Sequence, residues 1–482
     1  MRRNTAVLAA FFFLLTSLPS FAETISDDWM ELQMNGKKIG FSHQKVTEDS
    51  TGYRIESKAV IKMEMGGAEQ DLSTSSAYFL DGQFRPLRFT YMQKMLNHRQ
   101  FFEGVVHGNE MAVTVESAGA VSHKTVPLDD QVYVADTMSL LLGKKKLQGG
   151  EKFSFRVFLE PLLASETMSV EVGKLMDIDV DGQSAKVFPV TMKLKGFHTV
   201  SYITPEGRVL REISPMGFVS RAVSEQQALD FPQERVSFTG LLAYSLIPVP
   251  KPIENAEAMA YLRVRITGLD APDLLPTDDR QKTVSTEKSV GKNGTSWTVT
   301  LDVRKNRAEN ITRAERPAPA ARFGEFMKPT IEAQSDDPAI IAKAAEIVGG
   351  ETGIYPAAVK INQWVFANVK KKYIDTFSGV ATLKSLEGEC QSHTNLFAAL
   401  AKAAGIPVKT VSGIVYAADY KGFLYHAWPE VWAGEWVAMD PTFGQDIADA
   451  THIKLTDGDL SVQLQLFEFM GKIGLEPLDM SR

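Results

Sequence analysis

Cys390 is the only thiol in the 482-residue sequence, and its surroundings could make it reactive. The run from Thr394 to Ala404 carries apolar residues on one helical face, and Gly405 and Pro407 end it, so Cys390 is predicted at or near a helix N-terminus. The unpaired backbone N–H groups at such a terminus favour negative charge. This position predicts a lowered thiol pKa, a nucleophilic thiolate and N–H groups that could receive an oxyanion.

A histidine and an aspartate downstream have the spacing of a pair in a β-hairpin. Residues 425–441 are typical of two strands joined by a turn at Ala433 or just after it. With that turn, His426 and Asp440 lie across from each other or one step off, on the same face. A carboxylate beside an imidazole fixes its tautomer and stabilises its protonated form, and a nucleophilic thiol needs such a base. The spacing therefore predicts a triad of Cys390, His426 and Asp440.

Each of these residues also has a structural interpretation. A lone cysteine is more often a small buried apolar residue, a lone histidine on a strand is more often structural, and an aspartate before proline is usually a turn residue. Cys390, His393 and His426 could instead be three metal ligands, with Asp440 left as an outer partner. His452, shortly after the triad, is more consistent with a structural or substrate-edge residue than with a replacement base.

Five short motifs follow one another around these residues. They are Gly388-x-Cys390, Leu396–Gly405-Ile406-Pro407, Ser412-Gly413, His426-Ala427-Trp428-x-Glu430-Val431 and Trp436-Val437-x-x-Asp440-Pro441-Thr442. In this order and spacing they resemble the core of the bacterial transglutaminase-like superfamily, which uses a papain-like Cys–His–Asp triad. The resemblance extends from near Ser335 to about Leu455.

The resemblance implies a role for each member of the triad. Cys390 is the nucleophile, His426 the general base and acid, and Asp440 the orienting carboxylate, with no metal and no cofactor required. It implies an acyl-enzyme thioester on an amide or peptide bond, which water resolves by hydrolysis and an amine by transamidation. We expect a peptidase or amidase rather than a protein cross-linker. The second oxyanion donor is left open among Gln363, Gln391 and Trp364.

A binding protein is the alternative from a different functional class. In that case the core is a catalytically silent scaffold for periplasmic binding or assembly, and the N-terminal β half holds a polymer or an apolar ligand. A deep apolar cavity between the β-sheets, with Cys390 buried away from any cleft, would favour this alternative. The presence of Cys390, His426 and Asp440 together favours the enzyme.

The elements that must position the triad suggest an α+β chain, in which antiparallel β-rich domains precede the transglutaminase-like core. Alternating apolar residues predict strands from about residue 28 to 235, arranged as a half-barrel or sandwich, with a short helix near Ala135–Leu142. Helices are predicted at Ala339–Val348 and Tyr355–Lys371. The predicted division is a signal peptide at 1–22, an antiparallel β-rich domain at 23–245, a small β segment and linker at 246–320, and a transglutaminase-like catalytic domain at 321–482.

The first residues predict export. Arg2 and Arg3 precede the apolar stretch Ala6–Leu18, and Ser20-Phe21-Ala22 offers small residues for a signal peptidase, although an uncleaved membrane anchor is the alternative. We expect a periplasmic or secreted protein with no lipid anchor and no membrane span after signal cleavage. The expected partner is a protein or peptide substrate in the cell envelope.

Composition excludes several other classes of function. The formal net charge of -7 is not that of a nucleic-acid-binding protein. A single cysteine excludes an intramolecular disulfide, a multi-cysteine zinc site and an iron–sulfur cluster.

Overall fold

The computed structural model describes residues 22–482 apart from 35, 66–67, 96–97, 118, 181, 215–216, 232–235, 238–244, 292–293, 312–313, 373–377 and 459–463. The predicted signal peptide at 1–22 lies outside the described residues, except for Ala22. In the part of the chain that the structure describes, no helix has the length and apolar character needed to cross a bilayer.

The N-terminal half forms one large sheet of 17 strands among the described residues. Strand β1 pairs with β2 on one side and with β16 on the other, so the sheet continues from β8 through β1 to β9 without a break. All pairs are antiparallel except β9 with β10 and β17 with β3. The strands are β1 Glu23–Met34, β2 Lys37–Asp49, β3 Gly52–Met65, β4 Ala68–Leu80, β5 Pro86–Met95, β6 His98–His107, β7 Glu110–Ser117, β8 Ala120–Pro127, β9 Val132–Val134, β10 Lys152–Leu159, β11 Ala164–Val172, β12 Met176–Val180, β13 Gln183–Leu194, β14 Phe197–Ile203, β15 Val209–Ile213, β16 Phe218–Val223 and β17 Val236–Ser237.

The period-two pattern of the sequence explains the two faces of this sheet. In β11, Met168, Val170 and Val172 are buried while the residues between them are exposed, as their alternation predicts. The predicted short helix is present as a 3-10 turn at Ala135–Thr137 followed by α1, whose Met138 and Leu142 are buried against the sheet.

The remaining strands form a small sheet, a sheet that carries the predicted hairpin, and one short two-stranded pair. The small sheet has the order β20-β21-β19-β28, and the other contains β18-β25-β24-β27 with β26 paired to β25. The strands are β18 Ile247–Pro248, β19 Tyr261–Leu269, β20 Gln281–Gly291, β21 Gly294–Arg304, β22 Lys370–Lys371, β23 Glu387–Gly388, β24 Val408–Ala417, β25 Gly422–Trp432, β26 Trp436–Ala438, β27 Ile453–Asp457 and β28 Gly474–Ser481. The small sheet includes a strand from the end of the chain, which the sequence pattern did not predict.

The first two helices of the described residues pack on the N-terminal sheet, and the later ones lie in the part of the chain that carries Cys390. They are α1 Met138–Lys144, α2 Glu225–Leu229, α3 Ala320–Phe323, α4 Pro338–Val348, α5 Ile354–Asn368, α6 Gly379–Ser385 and α7 Cys390–Ala403. Helix α7 is the central element, because Leu396, Phe397 and Leu400 are fully buried in a core shared with α4, α5 and the sheet.

One predicted boundary differs from the structure. Helix α5 ends at Asn368 instead of Lys371, because Lys370–Lys371 form a short parallel strand pair with Glu387–Gly388. In the predicted linker, Ala318 is buried in the same core as α7. The division of the chain at residues 245 and 320 stays a prediction.

Candidate active site

Cys390 is the first residue of α7, which confirms the predicted helix start. Glu389 occupies the N-cap, and its Oε1 accepts a hydrogen bond from the backbone N–H of Gln391 at 2.9 Å. The preceding Gly388 allows close packing, because a Cβ there would lie 2.2 Å from Cβ of Ser392. The Gly388-x-Cys390 motif is therefore a packing requirement of this helix start.

The thiol of Cys390 is half-buried between a carboxylate and a backbone N–H group. Sγ donates a hydrogen bond to Oε2 of Glu389 at 2.8 Å, and the backbone N–H of Ala427 donates to the sulfur. Burial and the charge of Glu389 raise the pKa of the thiol well above its usual value. The lowered pKa predicted from the helix terminus is therefore wrong, because burial and a neighbouring carboxylate outweigh the helix dipole.

His426 and Asp440 lie together, as the hairpin pattern predicts, although the register differs. His426 Nε2 is 2.8 Å from Asp440 Oδ2. The turn is centred on Gly434, since Trp432 pairs with Trp436, so Asp440 is a diagonal neighbour of His426 instead of its opposite or adjacent residue. The two side chains still share a face because a shift of two residues preserves the alternation.

The imidazole of His426 is held between two aromatic rings. Trp428 is stacked at 6.1 Å and Phe443 at 5.0 Å between ring centroids. The His426 side chain is 5% exposed, and Nε2 faces Asp440, which leaves Nδ1 as the nitrogen available to a thiol. The hydroxyl of Thr394 on α7 donates to the carbonyl of Ala427 at 3.0 Å and ties the helix to the strand of His426.

Asp440 accepts four hydrogen bonds. Its Oδ1 receives the backbone N–H groups of Thr442 at 2.7 Å and Phe443 at 3.0 Å. Its Oδ2 receives His426 at 2.8 Å and His452 at 2.9 Å. Burial alone would raise the pKa of Asp440, but the two imidazoles hold it well below its usual range. Asp440 is therefore an ionised carboxylate in a buried position.

His452 lies behind Asp440. The sequence predicts a structural or substrate-edge residue at this position. Its Nε2 faces Asp440, and its Nδ1 is 3.4 Å from Oδ1 of Asp449. Burial lowers the pKa of this fully buried imidazole, but the hydrogen bonds to the two carboxylates outweigh burial and raise it. Burial alone would raise the pKa of Asp449, but the hydrogen bond and charge of His452, together with hydrogen bonds from Thr451 and Gln445, lower it to about 2.

The other residues singled out by the sequence have partners away from the thiol. The ring nitrogens of His393 face the carbonyl oxygens of Glu389 at 2.8 Å and Val369 at 3.3 Å. The side-chain amide of Gln363 donates to Asp446, and that of Gln391 donates to Asn395. The structure therefore does not support His393 as a metal ligand, nor either amide as an oxyanion donor.

His426, Asp440 and His452 form a group that could accept a metal ion. Their ligand atoms all lie within 4.8 Å of one another. Both histidine Nε2 atoms are at hydrogen-bond distance from the same oxygen of Asp440, which favours two N–H donors to one carboxylate.

Comparison with known families identifies the part of the chain that carries this geometry. The sequence of residues 341–441 matches the transglutaminase-like superfamily. This segment is a transglutaminase-like domain. The match confirms the resemblance and includes Cys390, His426 and Asp440, whereas Asp449 and His452 lie outside the matched residues. No curated protein matches the sequence of the chain.

Three solved structures are similar to parts of the chain, with low TM-scores. A candidate cysteine protease from Cytophaga hutchinsonii is 16% identical, covers 46% of this chain and 86% of that chain, and has a TM-score of 0.31. A β-barrel-like protein of a domain of unknown function from Brucella abortus is 14% identical, covers 41% and 95%, and has a TM-score of 0.33. A candidate protease from Parabacteroides distasonis is 10% identical, covers 74% and 69%, and has a TM-score of 0.19. At these TM-scores the likeness carries no argument about this chain.

Proposed function

We propose that the protein is an exported transglutaminase-like cysteine enzyme that acts on amide or peptide bonds through a thioester. Cys390 is the nucleophile, His426 the general base and acid, and Asp440 the orienting carboxylate. The observation that carries the proposal is the His426–Asp440 hydrogen bond of 2.8 Å next to a helix that presents Cys390 against the backbone of Ala427. The hydrogen bond supplies the base and the carboxylate of a triad, and the helix places the thiol beside the residue that follows His426 in the chain.

The first half of the reaction forms the thioester. Sγ of Cys390 attacks the carbonyl carbon of an amide, and the thiol proton passes to Nδ1 of His426, since Nε2 is bound to Asp440. His426 then gives that proton to the leaving nitrogen, the C–N bond breaks, and an amine departs. The backbone N–H of Cys390, at the first helical position, is a candidate donor to the oxyanion.

The second half returns the enzyme to its starting state. Water attacks the thioester carbon, His426 accepts a proton from it, and the proton returns to sulfur as the carboxylic acid product leaves. An amine in place of water gives transamidation. Water is abundant in an extracytoplasmic compartment, so we favour hydrolysis by a peptidase or amidase over cross-linking. The substrate class is a protein or peptide of the cell envelope.

The raised pKa of Cys390 decides how the nucleophile forms. In the resting arrangement the thiol is protonated and donates to Glu389. The thiolate is therefore generated by proton transfer to His426 during the attack, instead of being present beforehand as an ion pair. Rotation of the Cys390 side chain from Glu389 toward His426 precedes this transfer.

A binding function of the N-terminal sheet is the second candidate. The sheet forms a cavity of about 1210 Å³, lined by residues that include Asp136, Glu160 and Tyr91 beside Met138 and Leu142. The carboxylates of Asp136 and Glu160 make this cavity less apolar than the deep apolar cavity that would favour a catalytically silent scaffold. A ligand of the cavity is compatible with an active C-terminal domain as well as with a silent one.

Peptide turnover tests the proposed function. The full mature chain is incubated with a mixture of synthetic peptides that contain glutamine side chains, with glycine methyl ester as an added amine, and products are identified by mass spectrometry. We expect hydrolysis products, either two fragments of a cleaved peptide bond or a glutamate formed with release of ammonia, that the wild type forms and Cys390→Ala does not. Equal product from the two proteins would contradict the enzyme. Products in which glycine methyl ester has replaced the leaving amine, without any hydrolysis product, would make the protein a transamidase.

A further inference from the structure

The carboxylate of Asp440 is shared between two histidines, only one of which belongs to the proposed triad. His426 and His452 both approach Oδ2, at 2.8 and 2.9 Å, while Oδ1 is filled by two backbone N–H groups. The four hydrogen bonds that the two carboxylate oxygens of Asp440 accept therefore come from groups that are fixed by the fold. His452 is the one side chain among these donors that the triad does not explain.

The loop that carries His452 is itself held in place from a distant part of the chain. The guanidinium group of Arg280 is buried and donates to the backbone carbonyls of Asp449 and His452. The side chain of Gln445 donates to Asp449 Oδ2 at 2.8 Å, and its backbone pairs with that of Asp440. Asp440 and the loop of His452 are therefore one connected unit.

The sheet brings the two histidines to the same carboxylate. His426 lies on β25, and His452 directly precedes β27, with β24 between these two strands. In β24, Gly413 pairs with His426, and a Cβ at Gly413 would lie 2.1 Å from the carbonyl oxygen of Ile453 and 2.6 Å from the Trp428 ring. The absence of a side chain at Gly413 permits this close approach of the strands.

We propose that His452 is a positioning residue of the active site: its N–H donor, held by Asp449 and the Arg280-anchored loop, fixes Asp440 Oδ2 so that this oxygen orients His426. This inference rests on the proposed function. Without His452, Oδ2 would be held by His426 alone, and the carboxylate could turn about its two Oδ1 contacts away from the orientation that His426 needs. His426 would then lose its fixed tautomer and the orientation of Nδ1 toward the thiol.

Two substitutions of similar polarity distinguish a His452 that positions Asp440 by a hydrogen bond from a His452 that only fills the space beside it. In His452→Gln the amide nitrogen occupies roughly the place of Nε2 and can still donate to Asp440. In His452→Asn the shorter amide corresponds to Nδ1 and reaches toward Asp449 instead. Tyr425→Phe is the matched control, because the Tyr425 hydroxyl is buried with no hydrogen-bond partner among the described residues and lies beside His426 in the chain.

The test measures alkylation of Cys390 by iodoacetamide from pH 5 to 9 in the full mature chain, after thermal unfolding has shown that each variant is folded. We expect His452→Gln and Tyr425→Phe to keep the His426-dependent rate at neutral pH within about threefold of the wild type. We expect His452→Asn to lose it by about tenfold, as an unanchored base would. Equal rates for His452→Gln and His452→Asn would overturn the inference, whether both are high or both are low.

Two further variants and a metal titration separate this inference from the proposed function. If His426→Ala leaves the wild-type pH profile unchanged, the proposed function fails. If His426→Ala abolishes the neutral-pH rate but His452→Asn does not, only the role of His452 fails. Stoichiometric binding of Zn²⁺ that the His452→Asn substitution abolishes would also overturn the inference, because the three side chains would then be metal ligands.

Discussion

Carboxylates in the two halves of the molecule have pKa values that are shifted in opposite directions. In the N-terminal sheet, burial raises the pKa of Glu160 to about 7 and also raises the pKa of Asp136. In the C-terminal domain, the buried Asp440 and Asp449 have lowered pKa values. Burial acts in the same direction on all four, so the hydrogen-bond donors decide the outcome.

The donors differ in charge. Glu160 accepts a hydrogen bond from the hydroxyl of Tyr78 at 2.9 Å, and Asp136 accepts one from Ser76 at 3.1 Å. Asp440 and Asp449 instead accept bonds from imidazole groups in addition to neutral donors. An acid with neutral donors has a raised pKa here, whereas one with imidazole partners supplies a fixed negative charge, which a general base needs beside it.

The largest effect is expected from removing the charge of Asp440. In Asp440→Asn the amide can present its N–H to Nε2 of His426, which selects the wrong tautomer for proton transfer from the thiol. In a Ser-His-Asp triad the same change costs about 10⁴-fold in kcat, and we expect a loss of that order in peptide turnover. The measurement is the initial rate on the peptide mixture. A loss of less than tenfold in a folded variant would contradict the role of Asp440.

The next largest effect is expected from Glu160→Gln, on the pH dependence of the free energy of unfolding. The folded pKa of Glu160, about 7, lies above its value of about 4.3 in an unfolded chain, so this residue contributes stability below pH 4 that is lost as the pH rises through 7. Between pH 5 and pH 8 the loss is about 2–3 kcal/mol. We expect Glu160→Gln to remove this dependence in urea unfolding.

Glu171→Gln is the control for Glu160→Gln. Glu171 is an exposed residue of β11 that pairs with Lys152 at the surface. We expect this variant to keep the wild-type difference between pH 5 and pH 8. A Glu160→Gln protein that loses stability over this range as the wild type does would mean that Glu160 is ionised in the folded chain.

A smaller effect is expected from the carboxylate beside the thiol. In Glu389→Gln the negative charge at 2.8 Å from Sγ is removed, so the pKa of Cys390 falls and more thiolate is present at pH 7. We expect iodoacetamide to react about three- to tenfold faster, since one unit of pKa is a factor of ten in thiolate. Glu387→Gln, two residues away and paired with Lys372, serves as the control and is expected to react as the wild type does. An unchanged rate in Glu389→Gln would show that Glu389 does not raise the pKa of Cys390.

The sequence predicted the parts of the site that follow from periodicity and local signals. The stop at Gly405 and Pro407 identified the helix of Cys390, and alternation along the hairpin brought His426 and Asp440 to one face even though the turn lies at Gly434. Such patterns are local, so a helix end or a hairpin can be predicted from one continuous segment of the chain.

The residues that the sequence did not assign depend on tertiary packing. His452 comes from a loop before β27, and no periodicity relates a loop residue to a hairpin two strands away. The contact of Glu389 with the thiol depends on side-chain conformation, although its position directly before Cys390 was a signal that could have been used. The pairing of β28 with β19 joins residues more than 200 positions apart, and alternation alone does not name a strand's neighbour.

Alkylation of Cys390 in the wild type and in His426→Ala tests the central claim most directly. The full chain is treated with iodoacetamide from pH 5 to 9, and the rate is measured at each pH. We expect the wild type to react at neutral pH through proton transfer to His426, and His426→Ala to react only at alkaline pH, above the usual thiol midpoint of about 8.5. Identical profiles for the two proteins would show that His426 does not act on the thiol and would contradict the triad.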